Sequence, residues 1–405
     1  MIQKRFNALP DAEEAKILLQ GLSEQSSPDP CRLVDRPLVL YGAGNLGRMA
    51  KSYFERINIK VEAVVDQGAE NYQDDCFWTG IPVIHPDSFD EEQKQQVLLA
   101  VCIANISYAT LERDLCEKGW QAIAHFYDIA EAYREQHPLS NGWFCVHLSS
   151  TDCAEIAEVI QGWHDDLSRA YHLQFIAWRH LRQEWLFFSA AMMLDNRYLI
   201  PEVSSVLDEN EFFVDAGGHQ GETSCLLLEA VNFKFSGLLV FEPDADNRAD
   251  LETRFLSFEQ SVKDKIKIDP RALGSSSTKA NFFAGAGYAS QISAIGQTVK
   301  DVITLDSLGI KVTFMKLHLE GAELVALQGA KQSLIKHRPI IVTTSYHNQL
   351  GLAAMANWLM QTLTEYRFLY RLHSGCGTGA VIYAIPNERY NRSSNRSRDE
   401  SRAKI

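Results

Sequence analysis

Short apolar runs closed by glycine or proline alternate with stretches of helical spacing in two parts of the chain, and a long segment without strand signal separates them. In the first part "PLVLY" predicts a strand entering the turn "GAGNLG", "RMAKSYFERI" a helix and "VEAVVD" a second strand, so residues 37–66 form one βαβ unit. "IPVI" and "VLLAVCI" extend it to a small α/β domain over 37–128. Residues 129–204 keep helical periodicity through "AEIAEVIQGWHDDLSRAYHLQFIAWRHLRQ" and are expected to form a helical connector. A second series of strands follows over 205–386, at "EFFVDAGG", "GLLVFEP", "IKIDPRAL", "VTFMKLHL", "PIIVTTSYH" and "AVIYAIP", with helices such as "GAELVALQGAKQSLIKH" between them. That alternation predicts a mostly parallel sheet covered on both faces. Residues 1–36 read as a polar segment with one helix around "DAEEAKILLQGL", and 387–405 as a disordered polar tail. The fold class expected is α/β: two Rossmann-like α/β domains, the N-terminal one small, joined by a helical connector.

With 405 residues each part can bury its own core, so folding needs no metal or disulfide staple. A net charge of −13 opposes general binding to nucleic acid or an anionic membrane surface. Small molecules are the expected partners. Eight cysteines are scattered without a CxxC pair, the pattern of reduced thiols in the cytoplasm. The opening residues lack the apolar core of a secretion signal, and no stretch reaches the roughly 18 uncharged residues of a bilayer span. Neither export nor a membrane span is expected. A homodimer is compatible with the sequence, which is otherwise silent on assembly.

In "FFVDAGGHQGETS" a strand passes through an acid into a glycine turn and then a helix, the arrangement that holds a nucleotide-like ligand at the carboxyl edge of a sheet. Gly217, Gly218 and Gly221 allow close backbone approach, and the helix start offers free amides. The spacing Asp215-x-Gly217-x-x-x-Gly221 is not that of a dinucleotide turn. Its internal acid would repel a pyrophosphate and attract a sulfonium, which favours S-adenosylmethionine. "LLVFEPDADN" ends the next strand on Glu242 and Pro243, where a carboxylate can accept both ribose hydroxyls, and "IKIDPRALGSSS" offers Ala272 and Leu273 to the adenine. His219 lies inside the turn, beside the expected ligand.

The ordered series "FVDAGGHQGETS", "VFEPD", "ALGSSS", "GYASQIS", "VITLDSL", "FMKLHLEGAELVALQGA", "YHNQLG" and "YRLHSGCGTGAVIYAIP", over about 205–386, resembles the FkbM-type methyltransferases. The resemblance implies a class I methyltransferase fold, S-adenosylmethionine as methyl donor, and O-methylation of a sugar or other hydroxyl-bearing small molecule or glycan precursor, as in polysaccharide biosynthesis. It places Asp215, Gly217, Gly221 and Thr223 at the methionine end of the cofactor, Glu242 at the ribose and Ala272 at the adenine. Methyl transfer needs a base where the fourth and fifth strands end. "MKLHLEGAE" supplies Lys316, His318 and Glu320 there, and "SYHNQ" supplies His347 behind Tyr346. His318 stands where the family usually has aspartate. Glu323 is expected to serve the dipole of its helix, and His373 ranks below His347. The histidines show no metal-ligand spacing, so no metal is expected.

"YGAGNLG" gives Gly42-x-Gly44-x-x-Gly47, with Asn45 and Leu46 at the helix start and Asp66 closing the next strand 19 residues beyond Gly47. This is the dinucleotide fingerprint in its proper context. The domain is short and lacks a second half for a nicotinamide, so a nucleotide or nucleotide-sugar is the ligand expected. The rival reading is an NAD(P)- or nucleotide-sugar-binding, oxidoreductase-like protein whose methyltransferase domain is inactive.

Overall fold

The computed structural model describes residues 1–139, 141–195 and 197–390; the predicted tail lies outside the described residues from 391 onward. Among the described residues, eighteen strands form four sheets. β1 (Ile2–Phe6) pairs in parallel with β7 (Gln183–Phe187). β2 (Leu38–Tyr41), β3 (Val61–Val65), β4 (Val83–Ile84), β5 (Leu98–Val101) and β6 (Ala122–His125) form a parallel sheet of order β4-β3-β2-β5-β6. The C-terminal sheet has the order β10-β9-β8-β15-β16-β18-β17. Its strands are β8 (Phe212–Ala216), β9 (Gly237–Phe241), β10 (Ile266–Asp269), β15 (Phe314–Leu317), β16 (Ile340–Thr344), β17 (Tyr366–Leu372) and β18 (Ala380–Pro386). Only β18 runs antiparallel to its neighbours. A smaller sheet of β11 (Ala272–Leu273), β12 (Thr278–Phe283), β13 (Gln291–Ile292) and β14 (Thr298–Ile303) flanks it.

The continuous apolar runs follow from burial on both faces. In β2, Leu38 and Leu40 enter a core with Ala50, Phe54 and Phe126, whereas Val39 and Tyr41 enter another with Leu111, Leu115 and Trp120. In β8, Phe213 faces the core of Leu227 and Leu251, while Val214 and Ala216 face the connector through Ile160, Tyr171 and Ile176. The periodic stretch of the connector folds as two helices, Ser150–Gly162 and Asp166–Leu181. They separate because Asp165 caps the second one at Ser168 N (2.7 Å) and ion-pairs with buried Arg371 (2.8 Å).

Several elements exceed the sequence pattern. The N-terminal segment holds the expected helix, Ala12–Ser23, but also β1, and the helix packs with Leu19 and Leu22 on the connector. The connector itself contains β7. β12 and β14 have exposed first halves, so their sequences carry little apolar signal. The predicted helix "GAELVALQGAKQSLIKH" is two, Glu323–Gln328 and Lys331–His337. A Cβ on Gly329 between them would lie 1.9 Å from the Gly274 carbonyl oxygen, so the chain approaches there as only glycine allows. No helix among the described residues is long and apolar enough to cross a membrane.

Candidate functional site

Parallel pairing of β8 with β15 sets Asp215 beside Lys316. Lys316 Nζ donates to Asp215 Oδ1 (2.8 Å) and to the Gly217 carbonyl (2.7 Å), and Ser224 Oγ donates to Asp215 Oδ2 (2.6 Å). Burial opposes the lysine's charge, but Asp215 overrides it and Lys316 stays cationic. Asp215 is fully buried and not among the residues lining the cleft, which corrects its placement at the methionine end: its carboxylate is spent on anchoring the turn. Gly221 is also displaced from the expected lining. At φ +88° it turns the chain into the helix Glu222–Ala230 and packs toward Leu251 and Phe255.

The remaining donor residues converge. Gly217, Gly218, His219, Thr223, Glu242, Pro243, Ala272 and Leu273 all line one cleft. Gly217 has φ +83°, and a Cβ there would lie 2.0 Å from the His318 carbonyl oxygen, so this position requires glycine twice over. His219 N–H donates to Glu242 Oε2 (2.7 Å), and its ring stacks on Tyr288 with centroids 4.0 Å apart. Glu242 Oε1 accepts from Asp244 N (2.9 Å). Burial pushes the Glu242 carboxyl up to about 7 against the pull of those two N–H groups.

At the ends of β15 and β16 lies the titratable group of the site. His318 Nδ1 is 2.7 Å from Tyr198 Oη, and its Nε2 is 3.1 Å from Glu320 Oε1 and 3.3 Å from Tyr346 Oη. Burial lowers His318 to about 4, so its ring is neutral. Glu320 has φ +50°, a conformation costly for a residue with a Cβ, of order 1–3 kcal/mol. Burial opposes its ionisation, but His347 and His318 hold it well below the usual carboxylate range. His347 sits behind it, with Nδ1 2.8 Å from Glu323 Oε1 and Nε2 3.2 Å from Glu320 Oε1. Burial disfavours its charge, but the two carboxylates raise it to about 10. Beyond its place at a helix start, Glu323 accepts from Leu319 N, Gly321 N and Thr344 Oγ1, bracing the turn. His373 reaches the cleft wall with both nitrogens engaged, by Met193 O (2.7 Å) and Tyr383 Oη (2.6 Å). The connector holds this edge, since Arg179 and Trp143 both donate to the Tyr346 carbonyl. Tyr198, Arg197 and Tyr288 also line the cleft, and none of the three stood out as a site residue in the sequence.

Residues 215–391 match the family model for the Methyltransferase FkbM domain. These residues, somewhat under half of the chain, carry its likeness to that family. The crystal structure of Methyltransferase FkbM from Methylobacillus flagellatus KT is similar over 94% of this chain and 94% of that one, with a TM-score of 0.58 and 17% identity, a likeness of fold. A methyltransferase from Geobacter sulfurreducens aligns over 44% of this chain and 72% of its own, with a TM-score of 0.27 and 12% identity. No curated protein matches.

The N-terminal glycine turn opens on the same cleft as the donor turn at Gly217: Gly42, Gly44, Asn45, Leu46 and Asp66 line it too. Its glycines differ in what they do. Gly42 has φ +108°, and a Cβ on Gly47 would lie 2.0 Å from the Gly42 carbonyl oxygen, so Gly47 is a packing glycine and does not line the cleft. Gly44 has φ −72°, which suits any residue, and a Cβ there would meet nothing. It begins the helix Asn45–Arg56 without a side-chain cap. Asp66 accepts from Ala43 N and Gly68 N (both 2.8 Å), so its carboxylate braces the turn.

Proposed function

We propose that the chain transfers the methyl group of S-adenosylmethionine to a hydroxyl of a small phosphate-bearing molecule, such as a nucleotide-linked sugar or other glycan precursor. One observation carries the reading: both glycine turns and the His318–Glu320 pair line a single cleft of about 1030 Å³. That is at the top of the ~300–1,000 Å³ usual for one ligand, and two must meet for group transfer. On the FkbM side, Glu242 takes the ribose, Ala272 and Leu273 the adenine, and Gly217 to His219 the methionine end. Opposite them, the uncapped amides after Gly44 suit a phosphate, and Arg197 adds a cation to the wall. The acceptor oxygen attacks the methyl carbon as the carbon–sulfur bond breaks. Its electron pair goes to sulfur, and the acceptor proton is taken up by the His318–Glu320 pair. Lys316 positions the donor turn rather than reacting, because Asp215 and the Gly217 carbonyl occupy its ammonium.

Calorimetry with S-adenosylhomocysteine, NAD and NADP tests this directly. Heat is expected with S-adenosylhomocysteine alone; a nicotinamide response without it would transfer the assignment to the oxidoreductase-like reading. The anchoring role of the N-terminal turn predicts a contrast between two glycines, with UDP as the binding probe. Gly44→Ala is expected to change stability by less than about 0.5 kcal/mol and to abolish UDP binding. Gly47→Ala, which forces a methyl against the Gly42 carbonyl, is expected to cost about 1–3 kcal/mol. Equal UDP binding by wild type and Gly44→Ala, or none by either, would overturn the anchor.

A further inference from the structure

We propose that His318 Nε2, Glu320 Oε1 and His347 Nε2 form a site for a divalent transition cation of the zinc class, with an open coordination position toward the cleft. The three atoms lie within 4.8 Å of one another. Both imidazole nitrogens are near the carboxylate oxygen, at 3.1 and 3.2 Å. Around a tetrahedral ion with bonds of about 2.0–2.1 Å, neighbouring ligands are about 3.3 Å apart, close to both distances from Glu320 Oε1 to the imidazole nitrogens. His318 and Glu320 line the cleft and His347 closes the site from behind, which leaves one side of the ion to a ligand in the cleft.

The groups around these ligands are those a metal site uses. Each histidine has its Nδ1 held by an oxygen outside the cluster, His318 by Tyr198 Oη and His347 by Glu323 Oε1, which fixes both rings with Nε2 turned inward. His347 Nε2 is buried and faces Glu320 Oε1 at 3.2 Å. The charge also fits, because Glu320 and Glu323 bring two acids to the cluster. Two imidazoles and one carboxylate select a zinc-class ion over magnesium or calcium, which prefer oxygen ligands.

The ion's task rests on the methyl-transfer reading; its binding does not. With the ion bound, His318 and Glu320 serve as its ligands in place of their role as proton acceptor: the acceptor hydroxyl would occupy the open position, where the ion raises its acidity and the proton leaves to solvent. The oxygen then forms its bond to the methyl carbon as the carbon–sulfur pair returns to sulfur.

The test uses the full chain, stripped with EDTA and titrated with Co²⁺ in the absence of any donor. One equivalent should bind with the visible absorption of a four- or five-coordinate ion, be displaced by Zn²⁺ and be unaffected by Mg²⁺. His318→Gln and His347→Gln should each abolish the band. Tyr198→Phe, which touches no ion directly, should weaken Co²⁺ by about 10–100-fold while its metal-free thermal unfolding stays that of the wild type. A wild-type chain with no band at millimolar Co²⁺, or a band that survives in the doubly substituted His318→Gln, His347→Gln chain, would mean that the cluster is only an internal ion pair. S-adenosylhomocysteine titrated into the stripped chain reports on the donor site separately, so neither failure masks the other.

Discussion

Lys316→Met is expected to lower the stability of the chain by about 3–5 kcal/mol, a large part of the roughly 5–15 kcal/mol available to a folded protein. Asp215 is fully buried at the centre of the sheet, and Lys316 is the only cation bonded to it among the described residues. Methionine fills a similar volume, so the loss is electrostatic: a carboxylate without its counter-charge and a Gly217 carbonyl without its donor. Urea denaturation should show the midpoint falling steeply. Adding Asp215→Asn, which removes the second charge, should recover a substantial fraction of the loss, because the amide can still accept from Ser224. A single variant that loses under about 1 kcal/mol would show that the pair does not anchor the donor turn. The S-adenosylhomocysteine site should fail along with stability, since Lys316 holds the carbonyl of a residue that lines it.

That pair also marks where the sequence stops being readable. The apolar run of β8, its acid and its glycines announce a strand, a turn and a helix, because backbone demands at such a turn are local. Whether the acid faces a ligand or a lysine depends on register with β15, a strand that follows a hundred residues later, and nothing local encodes it. The same holds for the N-terminal turn, where Gly44 and Gly47 look equivalent in a fingerprint. Only packing against Gly42 separates the glycine the fold requires from the one that it leaves open. His318 and Glu320 are legible as strand-end groups, but His347 joins them by adjacency of β15 and β16. Their spacing resembles no ligand motif for that reason. Tyr198 sits in "NRYLIP", between β7 and β8, without periodicity or motif, and its link to His318 is purely tertiary. β1 and β7 escaped notice because each is a short strand broken by charged or polar residues, stable only by pairing with the other.

Glu242→Ala is expected to weaken S-adenosylhomocysteine at least about 100-fold, since two hydrogen bonds to a charged acceptor are lost at about 1.5–3 kcal/mol each. The pH dependence of the wild type carries more information. Burial sets the free protein's Glu242 at about 7, against the N–H groups of Asp244 and His219; the Asp244 charge also raises it and Lys316 lowers it. Ribose hydroxyls donate to the ionised carboxylate, so binding draws on the deprotonated fraction. Affinity should therefore rise with pH through about 7, level off above it, and fall by up to about tenfold per pH unit below it. In the ligand-free chain the sign is reversed: a carboxyl with a folded pKa above its unfolded value of about 4.5 costs stability as pH rises between the two. Glu242→Gln keeps the shape and one acceptor oxygen without the titration, and its affinity should be weaker than wild type at pH 8 but nearly flat across the range. Calorimetry at several pH values separates the two. A slope shared by wild type and Glu242→Gln would assign the titration to another group and remove Glu242 from the ribose, because nothing else that differs between those chains ionises.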